Sequence, residues 1–471
     1  MARGAPGPAR QARRPASTRC ASPPVHPPYE VRCPLHGSIA FDERERQVID
    51  HPLVQRLRSI TQLGFAALVY PGATHSRFSH SLGVMHLAGS VFDRVAETSP
   101  ALAAAGYDAD AQAYCRRIVR LAGLLHDVGH PPFSHSFEPL LPPRGALPLP
   151  WDWYAGGTAQ REAQSTHEDF SVAAVCALAG ERPALLSAAE ARDICALIDG
   201  RIAPGDALGG AGRRPVYPLL KQIISGEIDA DRMDYLRRDA HFAGVTYGLF
   251  DLSRLIQSLS CADLAEGLVM TLEQNALYTY ENFLMARFHM AMQVYFHKTL
   301  LPFEHFLKRS IEEGEIDFRI DGSLENLLAA REDRVLDALY RARDRRWAAH
   351  IVHRRPSARL LQLEEMTDEQ RGRALEAVQG LRARGVEIVH LREERPLSTL
   401  GAAGSDGGFP IYVERTLLGR TSYLPLHEVS VLLERYNQVF TIESLYCDPA
   451  DYATAVAALA PVLGEATPAG R

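Results

Sequence analysis

Apolar residues recur at the spacing of α-helices from about residue 30 to about residue 310, and this pattern predicts a mainly helical region. The segments "SHSLGVMHLAGSVFDRVAE" and "AYCRRIVRLAGLLHDVGH" are typical of two amphipathic or buried helices. We expect Pro131 and Pro132 to stop the second helix, because proline cannot donate the backbone hydrogen bond that a helix needs. A Gly- and Pro-rich loop follows, and another helix is predicted near "STHEDFSVAAVCALA".

The last third of the chain changes character. Residues 330–380 are charged and helical in pattern, whereas "GVEIVHL", "FPIYVERT" and "VFTIESLYCD" alternate or run apolar as strands do. The predicted fold class is therefore mainly α, with a helical core and a smaller C-terminal α+β lobe. The predicted divisions are a Pro-rich tail at 1–28, a catalytic-type helical domain at 29–310, a helical extension at 311–380 and the lobe at 381–462.

Composition narrows the class of protein. The 471 residues are 46% hydrophobic and 23% charged, with a net charge of −6, which is typical of a globular protein. A net negative charge gives no general attraction for nucleic acid, so any phosphate binding must come from a local group of basic side chains. No run approaches the roughly 18 apolar residues that span a bilayer, so we expect no membrane partner.

Cysteine usage and the N-terminus suggest a location in the cytoplasm. The seven cysteines are scattered and never form a Cys-x-x-Cys pair, so neither a disulfide framework nor a thiolate zinc site is indicated. The first 28 residues are rich in Arg and Pro and contain no acidic residue and no apolar core of a signal peptide. We expect a disordered basic tail, which leaves weak contact with single-stranded nucleic acid open as a possibility.

The stretch "LLHDVGHPPFSHSFE" places His126, Asp127, His130 and His135 at the end of an apolar run. On a continuing helix, His126 and His130 would lie four positions apart and share one sector with Asp127. Burying such groups without partners is costly, whereas neutral imidazoles and a carboxylate are good ligands for a transition metal ion. The alternative for any one of these histidines is a core residue whose hydrogen bonds are satisfied by its neighbours.

Two other stretches offer further ligands. "PGATHSRFSHSLGVMHLA" contains His75, His80 and His86, and "ISGEIDADRMDYLRRDAHFAG" contains several aspartates. A metal site with one early histidine, the His-Asp pair and one late aspartate can be assembled from them. In the later stretch the polar positions fall on one predicted helix face, for which a solvated charged stripe is the alternative. The members of that face are Asp231, Asp234, Tyr235, Arg238 and Asp239.

Six blocks in order carry a family resemblance. They are "DHPLVQRLRSITQLG", "YPGATHSRFSHSLGVMHLAG", "LAGLLHDVGHPPFSHSFE", "THEDFS", "IDADRMDYLRRDAHFAG" and "MARFHMAMQVYFHK". This string resembles the HD-domain metal-dependent phosphohydrolases, in particular the deoxynucleoside triphosphate triphosphohydrolase branch that includes the sterile-alpha-motif and HD-domain enzyme and bacterial dGTPase-like proteins. No sterile-alpha-motif domain is visible in this chain.

The resemblance implies a single metal site. Its ligands would be His80, His126, Asp127 and Asp231, holding one divalent iron, zinc or manganese ion, with Mg²⁺ as a possible companion of a bound triphosphate. Four protein ligands leave room for water and substrate only when the coordination number exceeds four, which favours an octahedral-type ion over a closed tetrahedral zinc.

The resemblance also implies roles for residues around the metal. His130, His135 and His167 would face the phosphates, and a proton relay would fall on His135, Glu138 and Glu168. Glu138 stands where the family usually has Asp, so the carboxylate is kept on a side chain one methylene longer. The residues implied around the deoxyribose are Gln62, Leu63, Tyr235, Asp239 and Tyr295. A tyrosine against the 2′ carbon would exclude ribonucleotides.

Hydrolysis of a nucleoside triphosphate requires cations along the phosphates and an acid that protonates the leaving nucleoside oxygen. The cations available are Arg77, Arg232, Arg287 and Lys298. The predicted function is hydrolysis of dNTPs to deoxynucleoside and tripolyphosphate by an enzyme. A phosphodiesterase or exonuclease acting on single-stranded oligonucleotides is the alternative enzyme, and a nucleotide-binding sensor is the alternative without turnover.

Regulation by a nucleotide activator is a further possibility. Asp50, Gln55 and Arg58 match residues that read guanine at a subunit interface in the family's mammalian member, but Tyr29 and Glu30 replace the lysine and valine that complete that site. The alternative is that Asp50 caps the next helix and Arg58 pairs with a neighbour. A homo-oligomer, dimer or tetramer, is expected to form through the helical core and the C-terminal lobe.

Overall fold

The computed structural model describes residues 29–396, 408–436 and 439–463. The predicted tail at 1–28 and most of the Gly-rich stretch after residue 396 lie outside the described residues. The side chains of His135, residues 395 and 396, residues 434–436 and Leu463 lie outside them as well.

The described part of the chain is mainly α, as predicted, with three small sheets. Its α-helices are α1 (Glu43–Ile49), α2 (Pro52–Gln55), α3 (Arg77–Thr98), α4 (Ala101–Ala104), α5 (Ala109–Leu125), α6 (His167–Glu181), α7 (Ala188–Ile198), α8 (Asp206–Gly209), α9 (Tyr217–Ser225), α10 (Ala230–Ala243), α11 (Leu252–Gln257), α12 (Leu277–Met290), α13 (Leu301–Glu312), α14 (Leu324–Ala329), α15 (Glu332–Arg341), α16 (Arg346–Val352), α17 (Asp368–Ala383), α18 (Leu426–Val429), α19 (Val431–Tyr436) and α20 (Tyr452–Leu463). Its strands are β1 (Tyr29–Cys33), β2 (Gly37–Phe41), β3 (Leu259–Leu264), β4 (Gly267–Glu273), β5 (Ala358–Gln362), β6 (Ile388–Pro396), β7 (Tyr412–Leu417), β8 (Arg420–Pro425) and β9 (Val439–Cys447).

The helical core is built around α3. This helix packs against α5 on one side and α10 on another, and α5 in turn packs against α7 and α9. Most of α3 is buried, including polar Arg77 and His80. The sequence predictions of α3 and of a helix beginning near "STHEDF" are confirmed, the latter as α6, which begins after the N-cap residue Thr166.

The second predicted helix ends earlier than expected. α5 stops at Leu125, and residues 126–129 form turns, so the prediction that His126, Asp127 and His130 share a helix sector is wrong. The reason is close packing on α6. The carbonyl of His126 accepts a hydrogen bond from the Ser171 hydroxyl at 2.6 Å, and a Cβ on Gly129 would meet the carbonyl of His167 at 2.3 Å.

The sheets include strands that periodicity did not reveal. β1 and β2 form an antiparallel hairpin, β3-β4-β7-β8 form one sheet, and β5-β9-β6 form another. The predictions of β6, β7 and β9 are confirmed. The antiparallel hairpin of β3 and β4 interrupts the region predicted as helical, and β4 is almost wholly buried, so its apolar run resembles that of a buried helix.

Two large hydrophobic cores and one small cluster lie in the described chain, and the bounds of the predicted domains stay predictions. The larger core joins the HD-type helices to the extension through buried residues such as Leu327, Val335 and Trp347, and it also includes Val413 of β7. The smaller core lies between the β5-β9-β6 sheet and helices α17 and α20. The first part of the extension is therefore packed into the body that carries α3, α5 and α10.

Two expectations from composition concern the cysteines and the membrane. The six cysteines in the described ranges are all free thiols, in agreement with the absence of a disulfide framework. None of the helices in those ranges combines the length and the apolar character that crossing a bilayer requires.

Candidate metal centre and active site

The four predicted metal ligands come from three elements and meet at one point. His80 projects from α3, His126 and Asp127 lie in the turn after α5, and Asp231 lies in the first turn of α10. His80 Nε2 is 3.0 Å from Asp231 Oδ1 and 3.7 Å from Asp127 Oδ2. His126 Nε2 is 3.3 Å from Asp127 Oδ1 and 3.6 Å from Asp231 Oδ1.

Both imidazoles of this centre turn a nitrogen towards the carboxylates without bonding it. His80 Nδ1 lies 2.8 Å from Asp234 Oδ2, and His126 Nδ1 lies 2.8 Å from the Gly123 carbonyl. The Nε2 atoms of His80 and His126 are buried and have no hydrogen-bond partner among the described residues. A nitrogen held in this way, with its ring oriented by a bond at the other nitrogen, is the usual arrangement of a histidine metal ligand. The residues present therefore fit a divalent metal ion.

The charges of the centre also favour a cation. Burial disfavours the charged imidazole of His80, but the carboxylates of Asp231 and Asp234 outweigh burial and raise its pKa to about 10. Burial likewise opposes ionisation of Asp127, yet Arg77, His126 and His130 hold the pKa of its carboxyl well below the usual range. Two ionised carboxylates facing two imidazoles make a buried pocket suited to a transition metal ion.

A buried carboxylate that the sequence offered only as a possible ligand lies behind His80. Asp234 is fully buried, and its two oxygens accept hydrogen bonds from Arg238 at 2.7 and 2.9 Å. His36, in the turn of the β1-β2 hairpin, lies 2.6 Å from Asp234 Oδ1. The polar face predicted on α10 is thus an internal network rather than a solvated stripe. Sequence reasoning did not find His36, because its partner Asp234 is 198 positions away.

Arg77 is placed beside the metal ligands rather than in open space. It is buried, it bonds Asp127 directly, and its Nε donates to the Ser134 hydroxyl at 2.9 Å. The guanidinium therefore neutralises Asp127 and fixes one of its oxygens. The contact of Arg77 with a phosphate stays a prediction.

Two histidines of the predicted phosphate side lie in contact beside Asp127. The rings of His130 and His167 stack with centroids 3.8 Å apart, and His130 Nε2 is 3.4 Å from Asp127 Oδ1. His167 Nδ1 bonds Glu138, and its Nε2 lies 3.4 Å from Glu168 Oε1. Burial opposes the charge on His167, but Glu168 and Glu138 outweigh it and raise the pKa to about 9.

These contacts group the predicted relay residues around one imidazole. Burial and the nearby cations Arg77 and His167 lower the pKa of His130, so the stacked pair combines a neutral ring and a charged one. Glu138 reaches His167 despite the extra methylene that separates it from an aspartate. The side chain of His135, the remaining member of the predicted relay, lies outside the described residues.

The residues predicted to surround the sugar form a second cluster along α10 and beyond. Tyr295 ends a π-helical segment, Ala291–Tyr295, and its hydroxyl donates to Asp239 Oδ2 at 2.8 Å. The other oxygen of Asp239 lies 2.8 Å from His75 Nε2. The rings of Tyr235 and Tyr295 meet edge to face at 6.1 Å. Since Tyr235 and Asp239 follow Asp231 at four and eight positions on one helix, this cluster adjoins the metal centre.

Gln62 and Leu63 lie in the segment before α3. The Gln62 side chain is 9% exposed, and its Oε1 has no hydrogen-bond partner within the described ranges. Leu63 is half-buried at the start of a short 3₁₀ helix. A buried amide oxygen without a partner is costly in a finished core, so Gln62 is available for a ligand.

The three remaining cations differ in their surroundings. Arg232 bonds Asp229 and the Gly226 carbonyl, and Arg287 lies 3.6 Å from Glu227 Oε1. Lys298 is exposed and has no ion pair among the residues described. The two arginines are therefore held by internal carboxylates, and Lys298 is not.

Three residues of the predicted activator site have nearby partners in the described structure. Asp50 pairs with Arg46 at 2.9 Å, and Arg58 Nε donates to Gln55 Oε1 at 2.7 Å. His51, and not Asp50, caps α2. Tyr29 and Glu30 are exposed on β1. Activation by a nucleotide and assembly into a dimer or tetramer both stay predictions.

The part of the chain that contains the four candidate metal ligands matches a known protein family. Residues 77–239 match the family model of the HD domain. A Dictyostelium discoideum protein named deoxynucleoside triphosphate triphosphohydrolase SAMHD1 homolog is 30% identical over 295 residues, 62% of this chain and 50% of its own length. The human deoxynucleoside triphosphate triphosphohydrolase SAMHD1 is 35% identical over 241 residues, 48% of this chain and 35% of its own length.

A solved structure matches over nearly the whole chain. The crystal structure of a hypothetical protein from Aquifex aeolicus has a TM-score of 0.69 at 28% identity, covering 92% of this chain and 99% of that one. The chain spans about half the length of the curated relatives it matches. These findings confirm the resemblance carried by the six sequence blocks, and they do not favour the oligonucleotide-cleaving alternative.

Proposed function

The chain belongs to the HD-domain phosphohydrolases, and we propose that it hydrolyses deoxynucleoside triphosphates to deoxynucleoside and tripolyphosphate. One observation carries the proposal. Two buried imidazole nitrogens that have no hydrogen-bond partner in the described part of the chain face two carboxylates, beside a stacked histidine pair and a tyrosine cluster. These three groups of residues would bind a metal ion, a polyphosphate and a sugar at one site.

The metal would be held by His80, His126, Asp127 and Asp231. Iron, zinc or manganese would suit these nitrogen and oxygen ligands, and Mg²⁺ would accompany the triphosphate. When bound, such an ion supplies a Lewis acid that polarises a phosphate oxygen and makes a water molecule more acidic. The name of the Dictyostelium relative, a triphosphate triphosphohydrolase, supports a polyphosphate as the substrate.

The stacked pair of His130 and His167 would bind the phosphates, and His135 would move a proton. His167 carries a positive charge that Glu138 and Glu168 stabilise, so it can bind a phosphate oxygen. Glu138 fixes the orientation of this ring through Nδ1. His135 would donate a proton to the leaving 5′ oxygen, because an imidazole titrates near neutral pH. Glu138 and Glu168 would return to His135 the proton that the attacking water releases.

The tyrosine cluster would select the deoxyribose. Asp239 can accept a hydrogen bond from the 3′-hydroxyl, while Tyr295 holds one of its oxygens. Tyr235 would lie against the 2′ carbon and exclude a hydroxyl there by steric overlap. Gln62 has an unused amide oxygen for the same part of the nucleoside, and Leu63 would pack beside it. Arg77, Arg232, Arg287 and Lys298 would share the negative charge of the phosphates.

The test is a product analysis with the full chain loaded separately with Fe²⁺, Zn²⁺ or Mn²⁺. The protein is incubated with each of the four dNTPs, each rNTP and a single-stranded oligonucleotide, and the products are resolved by ion-exchange chromatography. We expect intact tripolyphosphate and deoxynucleoside, with little turnover of rNTPs.

Each other outcome identifies an alternative. Mononucleotides released from the oligonucleotide, with dNTPs untouched, would establish the exonuclease. Tight binding of a dNTP without products under any metal would establish the nucleotide sensor. Cleavage of dNTPs to pyrophosphate or inorganic phosphate would keep the phosphohydrolase but refute cleavage of the bond between the 5′ oxygen and the α-phosphorus.

A further inference from the structure

A buried carboxylate at the start of α15 bonds two loops that border the candidate active site. Glu332 is 7% exposed. Its Oε1 accepts hydrogen bonds from the Thr61 backbone N–H at 2.8 Å and the Thr61 hydroxyl at 2.9 Å. The same oxygen accepts from the backbone N–H of Phe133 at 3.1 Å. Thr61 directly precedes Gln62, and Phe133 precedes Ser134.

The second loop has an unfavourable backbone conformation. Phe133 and Ser134 are consecutive non-glycine residues with positive φ, 57° and 56°. Such a conformation is unfavourable for a non-glycine residue and persists only where its surroundings hold it. The holding contacts are the Phe133 N–H on Glu332 and the Ser134 hydroxyl, which donates to the Thr61 carbonyl at 3.0 Å.

This loop is connected to a metal ligand by hydrogen bonds. The Ser134 hydroxyl accepts from Arg77 Nε at 2.9 Å, and the other arm of Arg77 bonds Asp127. A shift of Ser134 would therefore move the guanidinium that fixes Asp127. The 3₁₀ helix Ser134–Leu140, which carries Glu138, begins at the same residue.

A second link joins the same part of the extension to the catalytic turn. Arg56 is buried, and its Nη1 donates to the carbonyl of Ala330 at 2.9 Å. Its Nη2 donates to the carbonyls of His130 at 2.6 Å and Val128 at 3.1 Å. Together, Arg56 and Glu332 connect the α14–α15 junction to the backbone at 128, 130 and 133.

We propose that Glu332 and Arg56 are positioning residues that hold the backbone of 128–134, including the strained residues Phe133 and Ser134, so that the α14–α15 junction positions groups of the active site. This inference rests on the proposed function. It concerns residues outside the region matched by the HD-domain model, 77–239, and assigns a catalytic purpose to the extension that sequence analysis separated from the catalytic domain.

The experiment compares three variants of the full chain. Glu332→Leu removes the acceptor but keeps a side chain of similar size, and Glu332→Gln keeps an oxygen in the same place. Val335→Ala is the matched control, because Val335 is fully buried in the same helix and its truncation destabilises α15 without touching the loop contacts. The readouts are amide hydrogen exchange of peptides covering 57–66 and 126–140, metal content, and kcat and KM for dNTPs.

We expect Glu332→Leu to accelerate exchange at both peptides and to lower kcat on the order of 100-fold, as small misplacements of catalytic groups do. Glu332→Gln should restore slow exchange and most of the activity. Val335→Ala should lower the melting temperature while leaving both loop exchange and kcat near those of the wild type.

Two results would overturn the proposal. In one, Glu332→Leu leaves loop exchange unchanged; in the other, Val335→Ala reproduces its loss of kcat, which would reduce the effect to stability. Failure of the proposed function is distinguishable, because the wild-type chain would then cleave no dNTP while the exchange comparison would still be readable.

Discussion

The candidate site has a metal side, formed by His80, His126, Asp127 and Asp231, and a phosphate side, which includes Arg232 and Arg287. The two sides differ in how far their binding atoms are already bonded to other groups of the protein. On the metal side, the imidazoles of His80 and His126 are oriented by outer bonds, and their Nε2 atoms have no partner among the described residues. On the phosphate side, Arg232 and Arg287 face internal carboxylates, Asp229 and Glu227. A metal ion can therefore bind these Nε2 atoms without displacing a hydrogen-bond partner among the described residues. A triphosphate must instead compete with Asp229 and Glu227 for the two arginines.

This difference predicts tight binding of the metal ion and weaker binding of the phosphates. Ligands held ready for a metal give tight binding because little is lost on ordering them. Arginines that exchange a carboxylate for a phosphate instead give a weaker net gain, since one charge-assisted bond replaces another. We therefore expect loss of a metal ligand to abolish function and changes at the arginines of the phosphate side to alter KM by modest factors.

The largest effect is expected from Asp127→Ala. The variant loses a metal ligand and leaves Arg77 buried without its partner, which costs about 3–5 kcal/mol of stability. Bound metal, measured by atomic emission, and dNTP turnover should both disappear. Asp193→Ala is the control, because Asp193 is also a buried carboxylate with hydrogen bonds, from Tyr114 and Gly205, but lies elsewhere. A metal-free Asp127→Ala protein with full activity would refute the ligand assignment.

Glu138→Gln should have the next largest effect. The amide keeps the size of the side chain but removes the charge that supports His167, so kcat should fall about 100-fold or more, as expected for loss of general acid–base assistance. Metal content should not change, since Glu138 bonds His167 rather than a ligand. An unchanged kcat would remove Glu138 from the relay.

The sequence indicated which residues lie together at the candidate metal centre, but not the contacts that hold them. Motif order was sufficient to select His80, His126, Asp127 and Asp231, which lie together in the structure. It could not indicate that α5 ends at Leu125, because that end depends on packing against α6. Nor could it place Arg77 on Asp127, since chain order does not determine which carboxylate a cation meets.

The fold was predictable where amphipathic periodicity dominated. Helices α3, α6 and α10 follow from apolar spacing and capping, whereas the β3-β4 hairpin was missed because a fully buried strand lacks alternation. Glu332 lies 199 positions from Phe133, and a lone acidic residue at a helix start looks like an ordinary first-turn carboxylate. Its role depends entirely on tertiary contacts.

Asp234→Asn tests how far the outer bonds prepare the metal side. Asp234 orients His80 through Nδ1, and loss of such a bond typically weakens metal binding about 10- to 100-fold. Competition with a chromophoric chelator would measure the change. Glu45→Gln is the control, because Glu45 is a buried carboxylate bonded to Arg120. Equal metal affinity in wild type and Asp234→Asn would show that His80 is oriented by packing alone.

The smallest effect is expected on the phosphate side, from Glu227→Gln. Glu227 is buried 3.6 Å from Arg287, and its hydrogen bond from Tyr280 at 3.2 Å can be kept by the amide oxygen. Removing the competing charge should strengthen dNTP binding by about 1 kcal/mol, which corresponds to a roughly fivefold lower KM. The value of kcat should not change. Steady-state kinetics at fixed metal would measure it.

Arg287→Gln supplies the opposite change and should raise KM. If Glu227→Gln also raised KM, Glu227 would be holding Arg287 in place for the phosphates rather than competing with them. The phosphate side would then be as fully prepared as the metal side, and the contrast between the two would not hold.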